Sequence, residues 1–198
     1  MRSGVYCYTG KQGKGKTMSA CKFLIEYKLK SPNCRILTNV KSFNPFSDIL
    51  YFEKFSDIMN YCIANYSKPI EKKEQIIIFY DEIFTLLEKN KSLNIDILAF
   101  LSQLRKRQII LITTAQEWLE INITFRRYIR YQIDCNMITL PISHNAICIN
   151  CVNDGDLIKW DNDINEYIAP RVMTKIFKGN KSVVDSYNTF ETITTNKL

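Results

Sequence analysis

Apolar and polar positions change period several times along the chain, and each change marks an element. Val5-Tyr6-Cys7-Tyr8 is a short β-prone apolar run that ends in a glycine-rich loop, and it predicts a buried strand. Residues 16–30, KTMSACKFLIEYKLK, carry apolar side chains at helical spacing, and Ser31-Pro32-Asn33 stops that helix. Residues 34–39 predict a second strand, 41–47 a loop, 53–66 a helix and 68–74 a charged linker. Residues 75–80, QIIIFY, are apolar without alternation, as are residues 109–115, IILITTA. Such runs predict strands covered on both faces, typical of a parallel sheet. A helix is predicted between them at 93–107. Strands alternating with helices imply right-handed βαβ crossovers and an α/β sandwich. After residue 120 the pattern alternates instead. Residues 128–138 and 146–152 predict two strands paired antiparallel across a PISHN turn, and residues 154–198 are polar and mixed. The chain therefore predicts one domain over 1–198. Its core spans about residues 1–120, and a β-rich extension spans about 121–198.

The loop after the first strand is Gly10-Lys11-Gln12-Gly13-Lys14-Gly15-Lys16-Thr17, which satisfies G-x-x-x-x-G-K-[ST]. Glycines let the backbone adopt dihedrals closed to other residues and approach phosphate oxygens. Successive N–H groups then form an anion nest, completed by the positive N-terminus of the next helix. In that pattern Lys16 reaches the β- and γ-phosphates of ATP, and the Thr17 hydroxyl coordinates Mg²⁺. The strand before and the helix after are the context that such a loop requires.

A nucleotide site needs a second half. Asp81 and Glu82 follow the apolar run at 75–80. In a parallel sheet ligands gather at the carboxyl ends of the strands, so both halves face one crevice. There Asp81 can hold the metal shell, and Glu82 can act as general base on the attacking water. Gln116 ends the last buried run, where a polar side chain can sense the γ-phosphate. Just before that run lie Arg105 and Arg107 in LRKRQ, and a second basic group holds Arg126, Arg127 and Arg130. An arginine from either group can stabilise charge on the γ-phosphate, often from a neighbouring subunit, or contact nucleic-acid phosphates.

The order of these features, GKQGKGKT, FYDE, LRKRQ and ILITTAQ, resembles the FtsK/HerA superfamily of P-loop ATPases over residues 4–120. That group includes viral genome-packaging ATPases and the zonula occludens toxin-like assembly ATPases of filamentous phages. A weaker echo is VDSYNTFE at 184–191, similar to a tail of some phage members. The resemblance implies a P-loop NTPase of the RecA/ASCE type, with a mostly parallel sheet between helices and an antiparallel C-terminal extension. It further implies an ATPase that uses Mg²⁺, assembles as a homo-oligomeric ring and translocates DNA, most simply double-stranded DNA during viral packaging, with portal or capsid proteins as further partners. Carried over by motif, Lys16 and Thr17 hold phosphate and metal, Asp81 the metal shell, Glu82 the base and Gln116 the sensor. Arg105 or Arg107 is the arginine donated in trans. The alternatives are a phage assembly and export ATPase, and a nucleotide-binding module that does not hydrolyse.

Composition adds boundaries. With 46% hydrophobic and 12% aromatic residues, the chain can build a sizeable core. No apolar run approaches the ~20 residues needed to cross a bilayer, and no signal core precedes the glycine loop, so a cytoplasmic location is expected. A net charge of +7 suits a polyanionic partner. The seven cysteines are odd in number and several fall in apolar patterns, which predicts reduced, buried thiols. Cys148 and Cys151 form a C-x-x-C pair near Cys135 and His144, a spacing open to zinc. The alternation of AICINCV would put the two on opposite strand faces instead, and His144 reads as a turn residue.

Overall fold

A computed structural model describes residues 2–65, 75–83, 93–139, 146–163 and 165–179. In chain order the elements are β1 (Gly4–Thr9), α1 (Lys16–Lys30), β2 (Arg35–Thr38), β3 (Leu50–Tyr51), α2 (Phe55–Asn65) and β4 (Ile76–Tyr80). They continue with α3 (Ile95–Gln103), β5 (Ile110–Ala115), α4 (Ile123–Arg126), β6 (Ile129–Thr139) and β7 (Ala146–Asp154). A hairpin of β8 (Lys159–Asp161) and β9 (Glu166–Ile168) precedes β10 (Arg171–Lys178). The expected linker at 68–74, the turn that holds His144 and the 184–191 stretch lie outside the described residues.

Eight strands form one sheet in the order β10-β7-β6-β1-β5-β4-β2-β3. From β6 to β3 every neighbouring pair is parallel. At the other end β7 runs antiparallel to β6, and β10 antiparallel to β7. The mostly parallel α/β sheet with an antiparallel C-terminal edge is the fold that the sequence pattern implies.

The unbroken apolar runs now have their reason. Successive side chains of a strand point to opposite faces, and here both faces are covered. Ile76, Ile78 and Tyr80 of β4 pack with Phe55, Ile58 and Phe100 from α2 and α3. Ile77 and Phe79 pack with Met18, Cys21 and Leu24 from α1. The loop at 41–47 adds a core residue that sequence did not mark: Phe43 is fully buried and meets Phe79 edge-on, with ring centroids 5.8 Å apart.

Two further features differ from the sequence reading. The sheet runs on across residue 120, because β6 is hydrogen-bonded in parallel to β1 from Val5 to Thr9. Within the polar stretch after 154, RVMTKIFK forms β10 and pairs with β7. All seven cysteines are free thiols, six of them buried. Cys148 and Cys151 both lie on β7, Cys148 wholly buried in the α1 layer and Cys151 half-buried beside Thr174.

Candidate functional site

The glycine loop sits where β1 ends, and its shape is set by its neighbours. Gly10 has φ 145°, and a Cβ there would lie 2.6 Å from the Cys135 carbonyl oxygen of β6, so no other residue fits without moving that strand. Its N–H donates to the Gln116 carbonyl at 3.2 Å, which ties the loop to the tip of β5. Gly15 is the N-cap of α1, in the left-handed region at φ 77°, and no side chain caps the helix. Its carbonyl accepts from Ser19 N–H at 2.9 Å. The first-turn N–H groups of α1 thus point toward the crevice at the carboxyl end of the sheet, where an anion gains from both the unpaired donors and the helix dipole.

Lys16 lies over this loop. Its Nζ donates to the Lys11 carbonyl at 3.2 Å. Burial lowers its pKa, against the opposing pull of the Asp81 and Glu82 carboxylates. Lys11 and Gln12 are exposed at the loop's crest, and Lys14 is half-buried with its N–H donated to the Lys11 carbonyl.

The two halves of the motif meet. The Thr17 hydroxyl donates to the Asp81 carboxylate, 3.2 Å from Oδ2 and 3.4 Å from Oδ1. Asp81 is buried at the end of β4, and β5 separates β4 from β1. Two hard oxygen donors this close suit a small divalent cation such as Mg²⁺, which keeps water or phosphate oxygens in its other positions. Among the described residues no group of three or more His, Cys, Asp or Glu side chains could hold a metal.

Burial pushes the Asp81 carboxyl up to about 6, and the neighbouring Glu82 charge adds to the rise. The hydroxyls of Thr114 and Thr17, and the Lys16 ammonium, pull the other way. The consequence for stability has a definite sign. A carboxyl whose folded pKa is raised favours the folded state below about 4, and that advantage is lost as pH rises through about 6. Ionised Asp81 in the nucleotide-free chain therefore costs about 2–3 kcal/mol at neutral pH. Asp81→Asn is expected to raise Tm by several degrees at pH 7.5, with the gain fading near pH 4. Thermal melts of parent and variant at both pH values check this.

The Asp81–Glu82 dipeptide is held by residues that sequence reading did not single out. Asn39, buried just after β2, accepts the Asp81 N–H through Oδ1 at 2.8 Å and donates Nδ2–H to the Asp81 carbonyl at 3.2 Å. Thr114, buried in β5, donates its hydroxyl proton to Asp81 Oδ1. The Thr114 hydroxyl oxygen in turn accepts the Glu82 N–H at 2.8 Å. Glu82 itself has φ 55°. A left-handed backbone on a non-glycine residue costs on the order of 1–2 kcal/mol, and such strain persists only where neighbours enforce it.

The remaining residues from the sequence reading fall in two places. Gln116 is exposed at the tip of β5, beside the loop and next to the acidic strand. Arg105 and Arg107 lie at the opposite end of the sheet. Arg105 is within 4 Å of the Cβ position of Gly4, the first residue of β1, so about 17 Å of strand separates it from its own loop. Its Nη2 donates to Asp156 at 2.6 Å, and Arg130 pairs with the same carboxylate at 3.2 Å. Arg107 donates to Gln103 at 2.9 Å. Arg126 caps the turn before it through the carbonyls of Ile121 and Leu119 and lies over the Trp118 ring. Arg105 and Arg130 thus share the Asp156 carboxylate at the end of the sheet away from the crevice.

A phosphate loop between β1 and α1, an acidic pair at the end of β4 and one strand inserted between β1 and β4 together define the P-loop NTPase fold. Neither a family model nor any curated protein sequence matches this chain. Solved structures match it in shape. It is similar to the N-terminal domain of zonular occludens toxin from Neisseria meningitidis, at 14% identity and a TM-score of 0.60, over 95% of this chain and all of that one. It is also similar to the genome packaging NTPase B204 of Sulfolobus turreted icosahedral virus 2 bound to ATP-gammaS. That match has 13% identity and a TM-score of 0.53, over 86% of this chain and 98% of that one. A sulfate complex of B204 has a TM-score of 0.55.

Proposed function

We propose that this chain is an ATP-hydrolysing motor subunit that moves DNA, in the manner of a viral double-stranded DNA packaging ATPase. One observation carries the hydrolytic part: the Thr17 hydroxyl on the Asp81 carboxylate, with Glu82 next to it at the mouth of the same crevice. Backbone N–H groups of the loop and of the first turn of α1, other than those of Gly10 and Lys14, cradle the phosphates, and the Lys16 ammonium meets their outer charge. Thr17 and Asp81 hold Mg²⁺, which when bound offsets phosphate charge. Glu82 takes the proton of the attacking water, and Gln116 lies where it can orient that water.

Arg105 and Arg107 face away from their own crevice, so any part they play in hydrolysis is on a neighbouring subunit's nucleotide. A ring in which one subunit completes the site of the next enters this reading through the sequence resemblance alone. DNA enters the reading through the sequence resemblance, the net charge of +7 and the shape shared with B204, itself a genome packaging NTPase. Among the described residues no helix is long and apolar enough to cross a membrane.

The full-length match to the zonular occludens toxin domain favours a second reading, a phage assembly ATPase working on single-stranded DNA. ATP turnover with and without each kind of DNA separates the two. A packaging motor is expected to be stimulated several-fold by duplex DNA and less by single strands. The reverse order favours the assembly ATPase, and no response to either contradicts a DNA motor.

A further inference from the structure

We infer that Thr114 is a positioning residue for hydrolysis, whose single hydroxyl holds Glu82 in its left-handed backbone and ties it to the Asp81 carboxylate. The inference rests on the proposed function, and it concerns a residue that touches neither phosphate nor water in that reading.

Three observations converge. Thr114 is fully buried in the middle of the sheet, so its hydroxyl has no solvent to serve it. The oxygen accepts the Glu82 N–H at 2.8 Å, and its own O–H donates to Asp81 Oδ1. Glu82 stands at φ 55°, a conformation that a glutamate does not choose unaided. The peptide before it is fixed from the other side, because the Asn39 amide clamps both the N–H and the carbonyl of Asp81. β2 and β5 thus grip the acidic pair from its two flanks. Asn39 holds the Asp81 backbone, and Thr114 holds the turn into Glu82.

The chemistry needs this arrangement. β4 ends at Tyr80, and a continued strand would send the side chains of residues 81 and 82 to opposite faces. A left-handed residue at 82 breaks that alternation and lets the chain turn at the crevice. Without an acceptor for its N–H, Glu82 can relax into the right-handed region, and its carboxylate swings with it. A valine has the shape of threonine but neither accepts that N–H nor donates to Asp81. A serine does both.

Thr114→Val and Thr114→Ser are tested for ATP turnover at saturating ATP, for affinity toward a fluorescent ATP analogue and for thermal unfolding. Thr114→Val is expected to lose on the order of 10- to 100-fold in kcat, the effect of a small misplacement of a reacting group. Analogue affinity should stay within about threefold, and Thr114→Ser should turn over within about threefold of the parent. Combined with Glu82→Gln and followed in a single turnover, Thr114→Val should add no further loss, since it acts through Glu82. If Thr114→Val does not fold, Thr114→Ala, which also lacks the hydroxyl, takes its place. A parental kcat for the valine variant overturns the inference. So does a serine variant as slow as valine, or a full additional loss on the Glu82→Gln background. A parent that binds ATP but never hydrolyses it sinks the proposed function, and this inference with it. A hydrolysing parent with an unaffected Thr114→Val variant sinks this inference alone.

Discussion

Glu82→Gln is expected to abolish ATP turnover, by on the order of 10²- to 10⁴-fold, while nucleotide affinity stays within a few fold. The substitution keeps size and hydrogen-bonding capacity and removes only the ability to take a proton. Glu82 is half-buried at the end of β4, with its backbone pinned by Thr114. The local geometry therefore has little reason to change when oxygen becomes amide. Asp81, Thr17 and Lys16 all remain, so binding should survive. Turnover by phosphate release, set beside affinity for a fluorescent ATP analogue, makes the comparison. A variant that hydrolyses ATP at the parental rate shows that the base lies elsewhere.

The second large effect is on binding. Lys16→Ala is expected to weaken ATP affinity by roughly 10- to 100-fold, as befits a charge-assisted hydrogen bond to a phosphate. The ammonium is partly desolvated in the free chain, resting on the Lys11 carbonyl at 3.2 Å. It exchanges that neutral acceptor for phosphate charge when nucleotide arrives, and alanine leaves the charge unmet at the centre of the nest. The fold should not suffer, because burial already lowers the pKa of Lys16 and the charge gains little stability in the free protein. Affinity measured by titration, with a thermal melt as the check on folding, reads this out. Unchanged affinity would place the nucleotide away from this loop.

Much of the architecture was legible because local pattern and long-range packing agree. The runs at 75–80 and 109–115 read as strands covered on both faces, and they form β4 and β5, with β5 lying between β1 and β4. GKQGKGKT, Asp81 and Glu82 could be joined because each lies at a strand's carboxyl end, and parallel sheets gather such ends on one side. What stayed hidden depends on partners distant in sequence. RVMTKIFK has mixed polarity and becomes β10 only by pairing with β7. Residues 128–138 read as a strand, but its parallel partner β1 lies more than a hundred residues away. Thr114 looks like any β-branched residue inside a strand, and its hydroxyl gains meaning only when residues 81 and 82 arrive from β4. Asn39 reads as the last residue of the strand predicted at 34–39, and only the fold shows its amide clamping the Asp81 backbone. Arg105 reads as one of a basic run, and only the fold shows it paired with Asp156 at the far end from the loop.

The most direct test of the central claim, that the crevice between residues 10–17 and the Asp81–Glu82 pair hydrolyses nucleotide, is phosphate release from saturating ATP and Mg²⁺ in the presence of DNA. Steady turnover is expected from the parent chain, and none above background from Glu82→Gln under the same conditions. Tight ATP binding by the parent with no phosphate released, with or without DNA, would contradict it and leave a nucleotide-binding module in its place.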